Sequence, residues 1–493
     1  MLKLNANASE QSLAPQLVLE MSLKRVADML NGSTYLSQKF KAAFENDFLK
    51  EPLSLQQSLA QLLKWKQQLA GILDKLPNVF HMENFSRYLA EFEYQKYDDV
   101  EIPGQYLSLR DSGSDFIKLE RFNSKVEIVR RHGTSFRRLV MIGQDGSRTE
   151  FIIQNPSGRQ SRREERVMQL LRFAESIIDK KVFSRRHHSS FSVQNIVPLS
   201  GFVRLIQDSS SYVSFEGVYE GHCRLRGIQP EDPLIYFRDC LIKGIEGLQV
   251  PFKKGSVDLL NLRVDIFDEI CRAYVPADVL TRYVQSFCGH FNEYWNFRRR
   301  FTSQYASFIF VSYILAAGYR FPFKIGFTRD SAQLISQDLL PMLNQNGQIV
   351  LTEAVPFRLT PNIQHFITSN GIEGALTSEI MTLGQALAGR KMDWNDYLSL
   401  FIRDEIFHWA QSSQLLIAAS SDEGVSLHSE IATKTLQNVE IVMKRAQNLA
   451  CERELEKGSD LTQPLDQTVS DLISCAVNPQ KLAHMDSHWH PWF

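Results

Sequence analysis

No two of the six cysteines (Cys223, Cys240, Cys271, Cys288, Cys451 and Cys475) stand at C-x-x-C spacing. A zinc cluster or a redox pair is therefore not indicated, and scattered single cysteines fit a reducing, intracellular compartment. The opening stretch MLKLNANASEQ lacks an apolar core, so no secretory signal is expected. Neither sign of charge is in excess. Fifty-five Lys+Arg against 56 Asp+Glu leave a net charge of −1, which excludes a global electrostatic pull toward nucleic acid or a membrane. Internal repeats and low-complexity tracts are also absent, which argues against a solenoid or a compositionally biased tail. Long hydrophobic runs are scarce. One segment, Phe301 to Phe321, has Arg320 as its single charge, and its first nineteen residues could span a bilayer by length. Thr302, Ser303, Gln304, Ser307 and Ser312 dilute it, so a buried core helix is expected instead.

What is present is ordinary globular composition, 43% hydrophobic and 23% charged over 493 residues, enough for roughly three structural units and a large core. Residues 1–95 predict helices: LVLEMSLKRVADML and LSLQQSLAQLLKWKQQLAGIL place apolar residues at i, i+3, i+4 and i+7, with breaks at Gly32 and Pro52. Pro103-Gly104 marks a boundary. The period then changes to that of strands in KVEIVRRHG and RRLVMIGQDGSRTEFIIQ, where Asp145-Gly146 signals a hairpin. SRREERVMQLLRFAESIID reads as an amphipathic helix with Ser161 and Glu164 at capping-box spacing. FSVQNIVPLSGFVRLIQ and YVSFEGVYE return to strand character. From about residue 231 helices are expected at 258–273, 277–292 and 299–318. A poorly patterned loop over 319–361 follows, then helices near 374–389, 394–418 and 426–450, a polar linker over 451–464, and a short helix with the tail HMDSHWHPWF. A small β-rich lobe followed by a larger helical lobe is the outline of a bilobal kinase-like fold.

Four stretches carry more than a pattern: SRREERVMQLLR, NEYWNFRRRFTSQYA, VPFRLTPNI and the terminal HPWF. Together they resemble the TRRAP/Tra family of the phosphatidylinositol-3-kinase-related kinases. SRREERV and VPFRLTPNI carry the likeness at near identity. It runs from about residue 100 to the C-terminus, and because family members are several times longer, this chain resembles the C-terminal part of one. The resemblance implies an α+β fold with a bilobal protein/lipid-kinase-like body. Its parts would be a helical FAT-end or FRB-like segment over 1–95, a kinase-like N-lobe over 96–230, a helical C-lobe over 231–455 and a FATC element over 460–493.

Active relatives of that family hold nucleotide phosphates with a strand lysine, accept the substrate proton on a loop Asp, and bind magnesium through a loop Asn and the Asp of D-F-G. The resemblance places Gln154 at the lysine position. In GYRFPFK it places Tyr319 at the Asp, Phe321 at the His and Lys324 at the Asn position. An amide carries no charge, and a lysine in a magnesium site repels the metal. Near the D-F-G position the sequence reads LISQDLLPMLNQNGQ, so Asp338 is followed by two leucines. Gly318, Arg320, Pro322 and the run Pro356, Phe357, Arg358, Leu359, Thr360 keep the frame. Phosphoryl transfer depends on positioning and charge neutralisation, so the resemblance implies a pseudokinase without cofactor or metal.

Structural and docking roles are implied for Arg162, Arg163, Glu164, Glu165, Arg320, Pro356, Phe357 and Arg358, and for Trp489, Trp492 and Phe493 as an anchored tail. The implied setting is nuclear: the scaffold subunit of SAGA-type and related histone acetyltransferase complexes. Its partners would be their protein subunits and, mainly through other regions, transcription activators. Membrane contact and direct nucleic-acid binding are not expected. Two other readings stay open: a Ser/Thr protein kinase using relocated acids such as Asp338 or Glu353, and a basic binding module. Residues 121–188 hold 16 Lys+Arg and 7 Asp+Glu, read here as a basic surface partly neutralised by neighbouring segments. SRREER is read as a helix start with internal ion pairs. Tyr319 and Phe321 are expected to pack in the core, and Lys324 to be solvated. His484, His488 and His490 lack the cysteine or carboxylate pattern of a metal site.

Overall fold

The computed structural model describes residues 35–50, 55–73, 75–92, 100–107, 116–131, 134–155, 162–180, 190–247, 257–367, 374–387, 394–412, 424–449 and 465–493, with Leu23, Lys24 and Ala27. Contacts divide the chain into two compact units, Met1–Val79 and Phe80–Phe493.

In the first unit helices α1 (Tyr35–Phe48) and α2 (Leu55–Leu73) are joined through aromatic packing. The Trp65 ring meets Phe44 edge-on at 5.5 Å, and its Nε1 donates to Asp47 Oδ2 at 2.8 Å. Phe44 and Phe48 also pack with Leu23 and Ala27. Most of LVLEMSLKRVADML, and the breaks at Gly32 and Pro52, lie outside the described residues.

The second unit opens with a seven-stranded sheet. Its path is β1 (Val79–His81), β3 (Lys125–Arg131), β4 (Thr134–Gly143), β5 (Arg148–Gln154), β7 (Arg204–Asp208) and β6 (Ile196–Pro198), while β2 (Leu119–Phe122) pairs with the far end of β4. The Asp145-Gly146 hairpin forms because Gly146 takes φ +79° and Asp145 Oδ1 accepts from Ser147 N at 2.9 Å. Alternate residues Val126, Leu139, Met141 and Phe151 build one core with Leu119, Val197 and Leu205. Helix α3 (Arg163–Lys180) turns Val167, Leu170, Leu171, Ala174 and Ile178 away from solvent into a second core that continues through the helical lobe. Ser161, half of the expected capping box, lies outside the described residues.

YVSFEGVYE is a strand only at its start. After β8 (Tyr212–Ser214) the chain enters α4 (Phe215–Arg226), where Ser214 Oγ accepts from Gly217 N at 3.1 Å and Gly227 ends the helix at φ +69°. Phe215, Val218 and Tyr219 have strand propensity but helical spacing, and the spacing decides because all three are buried. Helices α5 (Asp232–Gly247), α6 (Val257–Ala273), α7 (Val279–Phe287) and α8 (Phe291–Ile314) follow. From Tyr305 to Ile314 every residue of α8 is buried, which is why its sequence is apolar on all faces. No described helix is long and apolar enough to cross a membrane.

The expected loop over 319–361 contains β9 (Ile325–Thr328) and β10 (Leu334–Ser336), which join β8 in a three-stranded sheet. These strands are short, and all four residues of β9 are buried, so no alternation marked them. Helices α9 (Pro361–Ile367), α10 (Ala375–Leu387), α11 (Trp394–Ser412), α12 (Gly424–Leu449) and α13 (Leu465–Val477) complete the lobe. The stretch 451–464 lies outside the described residues.

The tail docks on this lobe. Trp489, Trp492 and Phe493 are 2%, 0% and 2% exposed, and each buried ring contributes ~1.5–3 kcal/mol. Arg358, itself 0% exposed, organises their backbone. Its Nη1 donates to Trp489 O at 2.6 Å and to Arg320 O at 3.2 Å. Its Nη2 donates to His490 O at 3.1 Å and to Phe493 O. The guanidinium also lies 4.3 Å over the Trp489 ring. Burial pushes Arg358 down to about 10, which still leaves it charged at neutral pH.

Two outcomes are expected. A Cβ at Gly326 would stand 2.4 Å from Val213 O and 2.6 Å from the Tyr212 ring. Gly326→Ala should therefore force β8 and β9 apart and cost ~1–3 kcal/mol, read as a lower thermal midpoint; an unchanged midpoint would contradict the close approach. Arg358→Lys keeps the charge but cannot reach four carbonyls from one nitrogen. It should cost about 3–5 kcal/mol and speed amide exchange from His488 onward, and wild-type exchange there would show that the tail holds without it.

Candidate functional site

The cleft between the seven-stranded sheet and the helical lobe is lined by Arg131, Phe136, Ile152, Gln154, Glu164, Met168, Ile206, Asp208, Asp338 and Leu339 among others, and its free volume is about 90 Å³. Pockets for drug-sized ligands run to ~300–1,000 Å³. Charged side chains line and flank the cleft in two clusters.

The outer cluster is centred on Asp208 at the end of β7. Its side chain is 2% exposed and accepts from Arg131 Nη2 at 2.7 Å and from Arg138 Nη2 at 2.7 Å. Arg138 also reaches Glu127 at 2.8 Å, a cross-strand neighbour fixed by the β3–β4 register. Burial lowers the Arg138 pKa, but the Asp208 hydrogen bond and charge, with Glu127 and Glu150, outweigh it and the net direction is up. Arg131 stacks 4.4 Å above the Tyr212 ring, and burial pushes that phenol up to about 12.

The inner cluster begins at Gln154. Its Oε1 accepts from Arg204 Nε at 2.6 Å, and Arg204 pairs with Glu164 in the first turn of α3. Gln154 and Arg204 face each other because they are register partners across β5 and β7. Burial raises the Glu164 pKa against the opposing charge of Arg204, and the Asp338 carboxylate adds to the rise. Burial also pushes Asp338 up, but its bond and charge from Lys324, together with its hydrogen bond to Glu164, hold it below the usual carboxylate range. Lys324 Nζ lies 2.8 Å from Asp338 Oδ2, so Lys324 is an ion-pair partner rather than the solvated lysine expected.

Tyr319 departs from expectation too. It is 42% exposed with φ +52°, a backbone region uncommon for a bulky residue, so its ring leaves the core. It stacks on Phe321 at 6.1 Å, and Phe321 on Phe323 at 5.5 Å; Phe321 is half-buried. Beneath them Arg320 is buried. Its Nε donates to Glu353 Oε2 at 3.0 Å, and its Nη1 to Pro356 O at 2.7 Å. Pro356, Phe357 and Arg358 are buried. Asp338 and Glu353, the candidate relocated acids, are thus both ion-paired.

The start of α3 makes long-range pairs instead of the internal ones expected for SRREER. Arg163 Nε donates to Glu405 Oε1 at 2.7 Å, its Nη2 pairs with Glu405 Oε2, and Arg166 Nε reaches Asp404 Oδ2 at 3.1 Å. Both acids lie on α11. Arg162 is exposed and Glu165 half-buried. The basic stretch 121–188 is therefore neutralised in part by Asp208, Asp404 and Glu405. The tail histidines are dispersed: His484 Nδ1 contacts Gln480 O at 2.9 Å and His488 Nδ1 contacts Asp486 at 3.1 Å. Among the described residues no group of His, Cys, Asp and Glu could hold a metal ion.

Sequence reasoning missed Arg131, Arg138, Arg204, Asp208 and Glu405. The available signal was charge inside apolar strand runs, as in FVRLIQD and RRLVMIG, because such charges are retained only when paired.

Comparison with known proteins agrees with this architecture. The chain is 33% identical to the SAGA complex/NuA4 acetyltransferase complex subunit Tra1 of Schizosaccharomyces pombe, over 92% of its own length and 12% of that protein. It is 33% identical to the subunit of the same name in Saccharomyces cerevisiae, over 94% of this chain and 12% of the relative. With human transformation/transcription domain-associated protein it shares 30% identity over 92% of its length and 12% of the relative's. The chain thus spans about 12% of the length of these curated relatives. The solved FAT and kinase domain of CtTel1 superposes with a TM-score of 0.58 at 18% identity, over 93% of this chain and 30% of that one. The FATC domain profile matches residues 463–493. The Phosphatidylinositol 3- and 4-kinase profile matches residues 150–411, more than half of the chain, and the chain belongs to that family.

Proposed function

We propose that this chain is a catalytically inert kinase-like module that acts as a structural and docking platform within a transcription-coactivator scaffold. The observation that carries the reading is the cleft, reduced to about 90 Å³ and occupied by mutually paired charges. Nucleotide phosphates need uncompensated cations and a magnesium site. Here Arg131 and Arg138 are spent on Asp208, and Lys324 on Asp338. Gln154, Tyr319, Phe321 and Lys324 stand where the resemblance places the lysine, Asp, His and Asn of active relatives. The relatives' names associate them with SAGA and NuA4 acetyltransferase complexes. By that association we assign this chain a nuclear setting, with subunits of histone acetyltransferase complexes as partners. Transcription activators would be received mainly by other regions of a longer protein, and neither a membrane nor direct nucleic-acid contact enters the role. Arg162, Arg163, Glu164, Glu165, Arg320, Pro356, Phe357, Arg358, Trp489, Trp492 and Phe493 would serve structure and docking.

The family's kinase chemistry gives the competing reading, a Ser/Thr protein kinase, and calorimetry separates the two. Titration with ATP and magnesium should give no measurable heat of binding. Micromolar affinity abolished by EDTA, with phosphate incorporation into protein, would favour the kinase.

Tyr319→Asp by itself should restore no phosphoryl transfer, because Gln154 and Lys324 still leave the phosphate charge and the metal site unserved. Combining it with Gln154→Lys and Lys324→Asn removes the Lys324–Asp338 pair and should lower the thermal midpoint without yielding activity. Clear turnover by the single variant at unchanged stability would refute the assignment.

A further inference from the structure

The helical lobe carries a groove of about 690 Å³ between α10 and α13. That volume falls within the ~300–1,000 Å³ of small-molecule sites, whereas the cleft holds about 90 Å³. Two helix faces form its walls. Ser378, Met381 and Gln385 recur at i, i+3 and i+7 on α10, and Ser470, Ile473 and Val477 at the same spacing on α13. Gln364 of α9 adds a second carboxamide. Ile473 is buried and Met381 half-buried, so apolar surface lies between the polar groups.

The walls are polar without being charged. Among the described residues that line the groove none is ionisable. Glu379, the acid of α10, is turned to α8, where Ser303 Oγ donates to its Oε1 at 3.0 Å. Thr382 is satisfied within its own helix, its Oγ1 donating to Ser378 O at 2.8 Å. Among the described residues the side chains of Gln364, Ser378, Ser470 and Ser474 make no hydrogen bond within the protein. Hydroxyls and carboxamides both donate and accept, so these four groups can answer a ligand in either sense.

We propose that the groove between α10 and α13 is a binding site for a small uncharged ligand that carries amide groups on an apolar frame. An ionised ligand would lose water there without gaining a counter-charge. An amide brings a donor and an acceptor, which Gln364 and the serine hydroxyls meet, while its apolar frame covers Met381 and Ile473. The competing ligand is an anion, because the N-terminus of α10 borders the groove at Gly374 and favours negative charge. A bound ligand touches both the lobe helix α10 and α13 of the C-terminal element, so it ties the two together and stabilises the folded chain. The cleft contributes no wall to this site, and the assignment does not depend on whether the cleft is inert.

Disulfide capture on the 493-residue chain tests it. Ser470→Cys places a thiol on the half-buried wall of α13. The probes are three mixed disulfides on one phenyl frame, ending in a carboxamide, a carboxylate or an ammonium group. Capture under mild reduction is read by intact mass as the increment over the wild-type chain. Gln437→Cys, at an exposed position of α12, corrects for the intrinsic reactivity of each probe. After that correction the carboxamide should be captured at least about tenfold more than either charged probe. Adding Ser474→Trp, an exposed neighbour one turn along α13, should fill the groove and remove the preference at an unchanged thermal midpoint. Strongest capture of the carboxylate would assign the groove to anions, and equal capture of all three would make it an ordinary surface furrow. A preference that survives in the folded double variant would place it elsewhere. Each of these results overturns the proposal, and the comparison among the three probes decides by itself if the double variant fails to fold.

Discussion

The buried guanidinium of Arg358 is the interaction on which the rest of the helical lobe depends. It gathers backbone carbonyls from Arg320, Trp489, His490 and Phe493, and its own carbonyl accepts from Tyr305 of α8 at 2.6 Å. Two segments far apart in sequence, the loop at Arg320 and the tail, therefore share one cation, while α8 holds the same residue through its backbone. Taking a charge out of water is costly, and the carbonyls on the two terminal nitrogens offset it, while Nε has no hydrogen-bond partner. The tail supplies three of those acceptors and also encloses the site: Phe493 packs against Tyr219 at 5.6 Å, and Trp492 against Phe237 at 6.3 Å. Asn362 adds a bond to Trp492 O at 3.2 Å. The frame kept around GYRFPFK and PFRLT thus has a purpose that is independent of catalysis. Arg320 fixes the loop to Pro356, and Arg358 fixes Pro356 and its neighbours to the end of the chain.

The same economy of charge governs the cleft. Each ionised group there has its counter-charge within the protein, so the pairs hold the sheet, α3 and the loop before β9 in contact. Arg204 links β7 to α3 through Glu164, and Lys324 links the loop to Asp338. Arg163 carries α3 onward to Glu405, 1% exposed on α11. A metal ion and a polyanionic ligand would have to displace these pairs, leaving buried charges unpaired. Partly exposed members such as Asp338 are worth little individually, but Glu405 and Asp208, which are enclosed, make their pairs costly to break. The positive backbone angles of Tyr319 and Asp338 add local cost, which is tolerated where surrounding contacts over-determine the conformation.

What the sequence determined by itself is the part with local causes. The Asp145-Gly146 hairpin, the amphipathic face of α3 and the all-round burial of Tyr305–Ile314 in the second half of α8 follow from turn chemistry and periodicity. What the tertiary structure decided are contacts between residues with no sequence relation. Nothing in EFIIQN tells that Gln154 meets Arg204, because that pairing rests on the register of β5 against β7. Helix α4 was read as strand because its aromatic residues satisfy both patterns, and burial against α7 and β9 selected the helix. Strands β9 and β10 were invisible because short strands buried on both faces show no alternation. Lys324 was expected in solvent because lysine usually is, until Asp338 supplied its counter-charge. Local geometry is written in neighbouring residues, whereas the partner of a buried charge is set only when distant segments meet.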